Sequence, residues 1–246
     1  MTGVLRGVVA LDGPSGTGKT TVARKLAATL GAGFLDTGAM YRVVTLAALD
    51  AGVDPADAEA VAALAERVRV DVATDPGAPG ARLDGTDVGE AIRTARVDAA
   101  VSAVSAVPEV RELLVRGQRA IIAETVERVG GIVVDGRDIG TVVAPEAPLK
   151  VFLTASSEVR AARRGAQDTA AGRPVDQAAV LASVQRRDEL DSTRATSPLR
   201  PADDAVELDT SELSIEQVLT ALTELAGHRG LLDQDVRGAR AAEACR

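Results

Sequence analysis

Short apolar runs, each closed by a glycine or a polar residue, alternate along this chain with longer stretches whose apolar positions recur at helical spacing. Residues 5–11 predict a buried strand ending at Asp12, and residues 19–30 a helix stopped by Gly31. GFLDTG predicts a second strand, AMYRVVTLAALDAG a helix stopped by Gly52, and DPADAEAVAALAERV a helix with a proline and acidic residues at its start. Over residues 66–93 the pattern changes to apolar and polar residues alternating around Gly/Pro turns, as short antiparallel strands require. Helices resume over ARVDAAVSAVSAV and from Pro108 through PEVRELLVRGQRAIIAETVERV. GGIVVDGRD and LKVFLTA read as buried strands, SSEVRAARRGAQDTAAG and DQAAVLASVQRRDELDSTRA as helices, DAVELDT as a last strand and SIEQVLTALTELAGH as a last helix. Strands alternating with helices predict an α/β protein, a parallel sheet with helices on both faces. Residues 229–246 read as a loosely held, disordered tail.

Composition narrows what such a protein can do. Of 246 residues, 46% are hydrophobic but only 1% aromatic, so the core is built from Val, Leu, Ile and Ala, and any base pocket must work by hydrogen bonds and aliphatic walls. The net charge is -8 and no Lys/Arg block occurs, which argues against nucleic acid or an anionic membrane as partner. A single cysteine, Cys245, and a single histidine, His228, leave no disulfide framework, thiolate metal cluster or Ser/His/Asp triad. The first apolar run is too short for a signal peptide, and no stretch has the length of a membrane span, so a cytosolic protein is expected; a monomer is the separate expectation for its assembly.

The candidate chemistry starts at GPSGTGKT, residues 13–20, which lies between a predicted strand and a predicted helix. This is the context in which a glycine-rich loop turns its backbone N–H groups toward a polyphosphate. The ATP cradle expected here comprises Gly13, Pro14, Ser15, Gly16, Thr17, Gly18, Lys19, Thr20 and the following Thr21. Lys19 would reach the β- and γ-phosphates, and the Thr20 hydroxyl would bind the Mg2+ that accompanies ATP. Asp135 ends a strand where it could order water around that ion.

A nucleotide site alone does not define a function, because switches, motors and kinases share it. A guanine-reading Asn/Thr-Lys-x-Asp signature is absent, since the chain has no asparagine and none of its three lysines sits in that pattern. A kinase must bring two polyanions together and therefore needs fixed positive charge beyond Lys19. Arg42, Arg137, Arg187 and Arg194 are candidates: the first two follow strand ends, and the last two stand seven apart, near one helical face.

DGPSGTGKTT, LDTGAMYR, EAIRT, VPEVRELLVRGQR, VVDGRDIGTVV and RRDELDSTRATSPL, in this order and spacing, resemble the bacterial cytidylate kinases over residues 4 to about 226. The resemblance implies a P-loop NTPase-type core over 1–36 and 94–228, with a short lid at about 157–173, and a nucleoside-monophosphate-binding region over 37–93 that includes the β-rich insertion. It implies transfer of the ATP γ-phosphoryl group to CMP or dCMP. Thr37, Arg42 and Arg137, with Arg194 nearby, would hold the acceptor phosphate; Ser102, Arg111 and Asp138 would contact cytosine; Arg187 and Asp191 would contact the sugar. Ser105, close to Ser102, has no implied role. Such a base site suits cytosine, whose N4 amino group can donate to a carboxylate while N3 and O2 accept from a guanidinium. Lys19, Arg137, Arg187 and Arg194 are the expected catalytic charges, and Arg160, Arg163 and Arg164 are expected to close over the ATP phosphates from a mobile lid. A P-loop kinase for UMP, AMP or another small acceptor, and a nucleotide-binding module without turnover, remain the alternatives.

Overall fold

The computed structural model describes residues 3–170, 172, 175–194 and 196–234; Arg173, at the end of the expected lid, and Cys245 lie outside them. Five parallel strands form the central sheet in the order β3-β7-β2-β8-β9. These are β2 (Gly7–Asp12), β3 (Gly33–Asp36), β7 (Gly131–Asp135), β8 (Leu149–Thr154) and β9 (Val206–Asp209). β2, which leads into the glycine-rich loop, therefore sits at the centre. Its apolar run is continuous because both of its faces are covered.

Alternate residues of these strands feed two separate cores. Ala10, Leu35, Ile132 and Val134 pack with helices α2 (Thr37–Asp50) and α5 (Pro108–Val129). Val9, Leu11, Phe34, Val133 and Leu153 pack on the other face with α1 (Lys19–Thr29) and α8 (Ile215–His228). Helices thus cover both faces, as the alternation predicts. α8 begins with a reciprocal cap in which the Ser214 hydroxyl accepts from Gln217 N–H while the Gln217 side chain accepts from Ser214 N–H.

In the stretch read as β-rich, β4 (Val70–Val72), β5 (Ala81–Leu83) and β6 (Thr86–Asp87) form a small antiparallel sheet, followed by a 3-10 turn at Ala91–Arg93. Phe34 N–H donates to Thr74 O at 2.9 Å and pins this sheet to the edge of the main one. The remaining helices are α3 (Ala58–Ala65), α4 (Ala95–Val104), α6 (Ser157–Ala170) and α7 (Gln177–Ser192). α3 starts later than its proline suggests, because Asp57 caps it by accepting from Ala60 N–H and leaves Pro55 in the preceding turn.

Two expectations need correction. The first apolar run is two strands: β1 (Gly3–Leu5) ends before Arg6, and Gly7, with φ 85°, redirects the chain into β2. The segment 229–246 is not loose throughout, because β10 (Leu232–Gln234) pairs antiparallel with β1, Arg6 N–H donates to Leu231 O at 2.8 Å, and Leu231 is buried. The chain beyond Gln234 lies outside the described residues.

Candidate active site

Three neighbouring strands end in aspartates: Asp12 on β2, Asp36 on β3 and Asp135 on β7. Each carboxylate organises the segment beyond a strand end. Asp36 caps α2 through Ala39 N–H at 3.0 Å. Asp12 accepts from Ile139 and Gly140 N–H, both at 2.8 Å, and so caps the short wide helical turn Ile139–Val143 that follows Arg137 and Asp138. Asp135 Oδ2 accepts from the Thr20 hydroxyl at 2.5 Å, while its buried Oδ1 has no hydrogen-bond partner. Burial pushes the Asp12 and Asp135 carboxyls up to about 6 in each case.

Residues 13–18 turn between β2 and α1 with backbone that only glycine accepts at two tight places. Gly13 has φ 136°, and a Cβ there would stand 2.1 Å from Leu153 O; Gly16 has φ 82° and lies against the Arg160 backbone. α1 begins with no side-chain cap, so N–H groups of its first turn face the loop. Lys19 is buried, donates to Pro14 O at 2.7 Å, and is pulled down to about 7, by burial first and then by the charge of Arg137. The negative charge of a polyphosphate beside it would favour the charged form against both effects.

Near Lys19 stands the arginine group that the sequence pointed to. Arg137 Nε donates to Asp191 Oδ2 at 3.1 Å. Arg187 has a buried Nε without a partner, and burial, with Arg137 and Arg42 nearby, pulls it down to about 10. Arg194 donates to Ser197 O at 3.2 Å, and its Nε is also buried and unpartnered. α7 ends at Ser192, so Arg194 lies past the helix rather than on the face of Arg187; Asp191 nevertheless sits among Arg137, Arg194 and Arg187, whose charges overcome burial and hold its carboxyl below the ordinary range. Arg42 donates to Ile92 O at 2.9 Å and to Asp98 at 2.6 Å. Thr37 is placed beside this group, but its hydroxyl donates to Asp135 O at 2.7 Å, so it must turn to donate elsewhere.

Arg111 and Asp138 meet in a buried ion pair, with the guanidinium 5.4 Å from the centre of the Tyr41 ring. Ser105 O accepts from Arg111 at 3.1 Å, so the serine without an implied role helps to aim that arginine through its backbone. Ser102 lies one helical turn before it on α4, partly buried, and its carbonyl accepts the Ser105 hydroxyl.

The three arginines expected of a lid, all on α6, diverge. Arg160 is buried, donates to Ser15 O at 3.2 Å and makes a two-pronged bond to Asp188 at 2.9 and 2.5 Å. Arg163 donates to Thr17 O at 3.2 Å and to the Thr210 carbonyl at 2.6 Å. Both therefore hold carbonyls of the glycine-rich loop. Arg164 pairs instead with Asp98. Tyr41, Asp12, Asp98, Asp188 and Thr210 were not singled out from sequence. The acidic ones could have been suspected only as partners for an excess of arginine.

Among the described residues no helix is long and apolar enough to cross a membrane. A central parallel strand running into a glycine-rich loop, a buried lysine, and a group of arginines close to it define the class: a P-loop nucleotide-binding protein of the phosphotransferase kind. The family model for cytidylate kinase matches residues 9–228. A cytidylate kinase of Rhodococcus opacus is 58% identical over 227 residues, covering 92% of this chain and 97% of that protein. Those of Corynebacterium glutamicum and Mycolicibacterium paratuberculosis are each 57% identical, over 89% and 90% of this chain and 93% and 96% of their own lengths. This chain belongs to the cytidylate kinase family.

Proposed function

We propose that this protein transfers the γ-phosphoryl group of ATP to the 5′-phosphate of CMP or dCMP, releasing ADP and CDP or dCDP. The observation that carries this reading is the buried Arg111–Asp138 pair, which adjoins Arg194 and Arg137 in the arginine group near Lys19. A carboxylate and a guanidinium held together present one acceptor and several donors, the complement of cytosine N4, N3 and O2. Uracil would set O4 against the carboxylate and N3–H against the arginine, a mismatch that a buried polar site rejects strongly.

On this reading Arg42, Arg137, Arg194 and a turned Thr37 hold the acceptor phosphate, Ser102, Arg111 and Asp138 hold the base, and Arg187 and Asp191 the sugar. An oxygen of the CMP phosphate is already anionic and needs no general base. It forms the new bond to the γ-phosphorus as the bond to the β,γ-bridging oxygen breaks, and the electron pair leaves on ADP. What the chain contributes is alignment and positive charge, from Lys19, Arg137, Arg187 and Arg194. Arg160 and Arg163 act on ATP by holding the loop carbonyls of Ser15 and Thr17 so that the loop N–H groups point inward.

Mg2+ fits the residues present. The Thr20 hydroxyl and the unpartnered Asp135 oxygen are hard donors, and no cluster of three acidic, His or Cys side chains occurs among the described residues, as suits an ion held mainly by substrate phosphates and water. Bound there, the ion would supply charge neutralisation on the transferring phosphate. The reading extends to a monomer acting on free nucleotides in the cytosol.

An ADP-release assay with ATP and Mg2+ against CMP, dCMP, UMP, AMP, GMP and shikimate tests the proposal. Turnover with CMP and dCMP well above UMP supports it; product with AMP or UMP alone moves the assignment to another P-loop kinase, and ATP binding without acceptor-dependent product leaves a binding module.

A further inference from the structure

Asp98 has no task in the reaction just described, yet it joins two parts of the site that are far apart in the chain. Its Oδ1 accepts from Arg42 of α2 at 2.6 Å, and its Oδ2 accepts from Arg164 of the lid helix α6. Two guanidinium groups are therefore held on the two oxygens of one carboxylate, beside a third cation, Arg187, that already feels Arg42 and Arg137. Without the bridging charge these cations would separate by repulsion. The side chains of Asp98 and Arg42 are each 18% exposed and that of Arg164 34%, which places the bridge out of the class of freely solvated surface pairs. Burial by itself would raise the Asp98 carboxyl, but Arg42 and Arg164 together hold it below the ordinary range. Ile92 O fixes the other terminal nitrogen of Arg42, so the fork is clamped at both ends with its Nε side left for a further acceptor.

We infer that Asp98 is a positioning residue: it straps the lid to the acceptor clamp by holding Arg42 and Arg164 side by side, so that an acceptor phosphate meets an oriented Arg42 under a lid already drawn over it. The inference rests on the acceptor site proposed above. The rival accounts are an ion pair that only stabilises the fold, and a carboxylate that competes with the acceptor phosphate for Arg42.

The test compares wild type, Asp98→Asn, Arg164→Gln and the double variant. With the protein alone, hydrogen exchange of the α6 amides around Arg164 should accelerate in each single variant, and no further in the double. With ATP and Mg2+, each single variant should raise the KM for CMP by about tenfold while the KM for ATP stays within about twofold, and the double should match the singles. Asp98→Glu should recover part of the CMP affinity, which guards against a misfolded Asp98→Asn protein. A lower KM for CMP in Asp98→Asn would overturn the strap in favour of competition. Unchanged exchange in α6, equal rises in both KM values, or additive effects in the double variant would also overturn it. A wild type that turns over no CMP would sink the acceptor reading and the positioning role with it, whereas the exchange data would still decide whether Asp98 ties down the lid.

Discussion

The Arg111 guanidinium on α5 and the Asp138 carboxylate after β7 neutralise each other in a setting where each is almost wholly buried. Removing one partner strands a buried charge, so Arg111→Ala and Asp138→Ala should each destabilise the fold by about 3–5 kcal/mol, read as a fall in Tm. An apolar pair, Arg111→Met with Asp138→Leu, should regain most of that loss but not the preference for CMP over UMP. If stability and base preference return together in the double variant, the pair is a structural tie and not the base reader.

Lys19 titrates near 7 because it is buried beside Arg137, well below the ordinary lysine value of 10.5. Its folded pKa is depressed, so between about pH 7 and 10.5 the unfolded chain binds more protons, and the contribution of this group to stability rises with pH across that window. A bound polyphosphate supplies negative charge and restores the proton. ATP binding at pH 8 should then take up close to one proton, seen as a difference in calorimetric heat between Tris and HEPES buffers. Lys19→Met should abolish the difference; equal heats for wild type in the two buffers would show that Lys19 is already charged.

The parallel sheet and the glycine-rich loop were legible because both are written in local sequence. β2 reads as an apolar run closed by Asp12 just before GPSGTGKT, and the covered faces that require such a run are present. Directions of long side chains were not legible. Arg160 and Arg164 stand one turn apart on α6, yet one reaches Ser15 O and Asp188 and the other Asp98, partners that only the tertiary fold brings near. Arg194 left the face of Arg187 because α7 ends two residues before it. β10 was missed because a three-residue strand has little pattern of its own, and its partner β1 lies at the opposite end of the chain.

That pairing carries a stability prediction. Leu231 is 9% exposed and packs into the core beneath α1 and α8, while its carbonyl receives Arg6 N–H. Leu231→Ala should cost about 2–3 kcal/mol in urea unfolding, the range for a buried leucine truncated near the edge of a core. Kinetic constants measured well below Tm should not change, since Leu231 lies beside the start of β2, at the opposite end of that strand from the glycine-rich loop. A cost within about 0.5 kcal/mol, the range of ordinary surface substitutions, would mean that the segment after α8 is not docked in solution.

Asp12 offers a sharper test of how the two halves of the site are joined. It is the last residue before the glycine-rich loop, and both of its oxygens are engaged by the N–H groups of Ile139 and Gly140, directly after Arg137 and Asp138. Burial raises its carboxyl to about 6 against those two bonds, so between about pH 4 and 6 the folded protein holds the proton more tightly than the unfolded chain, and this group's contribution to stability falls as pH rises through that window. Ionised, it satisfies both N–H groups; protonated, it turns one oxygen into a donor facing a donor. The amide resonances of Ile139 and Gly140 in the protein without nucleotide should therefore titrate together near pH 6. In Asp12→Asn the amide can accept only one of the two bonds, which should leave a buried N–H unpaired at a cost of about 1–3 kcal/mol and remove the shared titration. Because the turn held by Asp12 directly follows Arg137 and Asp138, the same variant should lose CMP-over-UMP preference at pH 8, where the wild-type carboxylate is fully ionised. Titration of the two amides that persists in Asp12→Asn would assign the proton to another group, with Asp135 the next to examine.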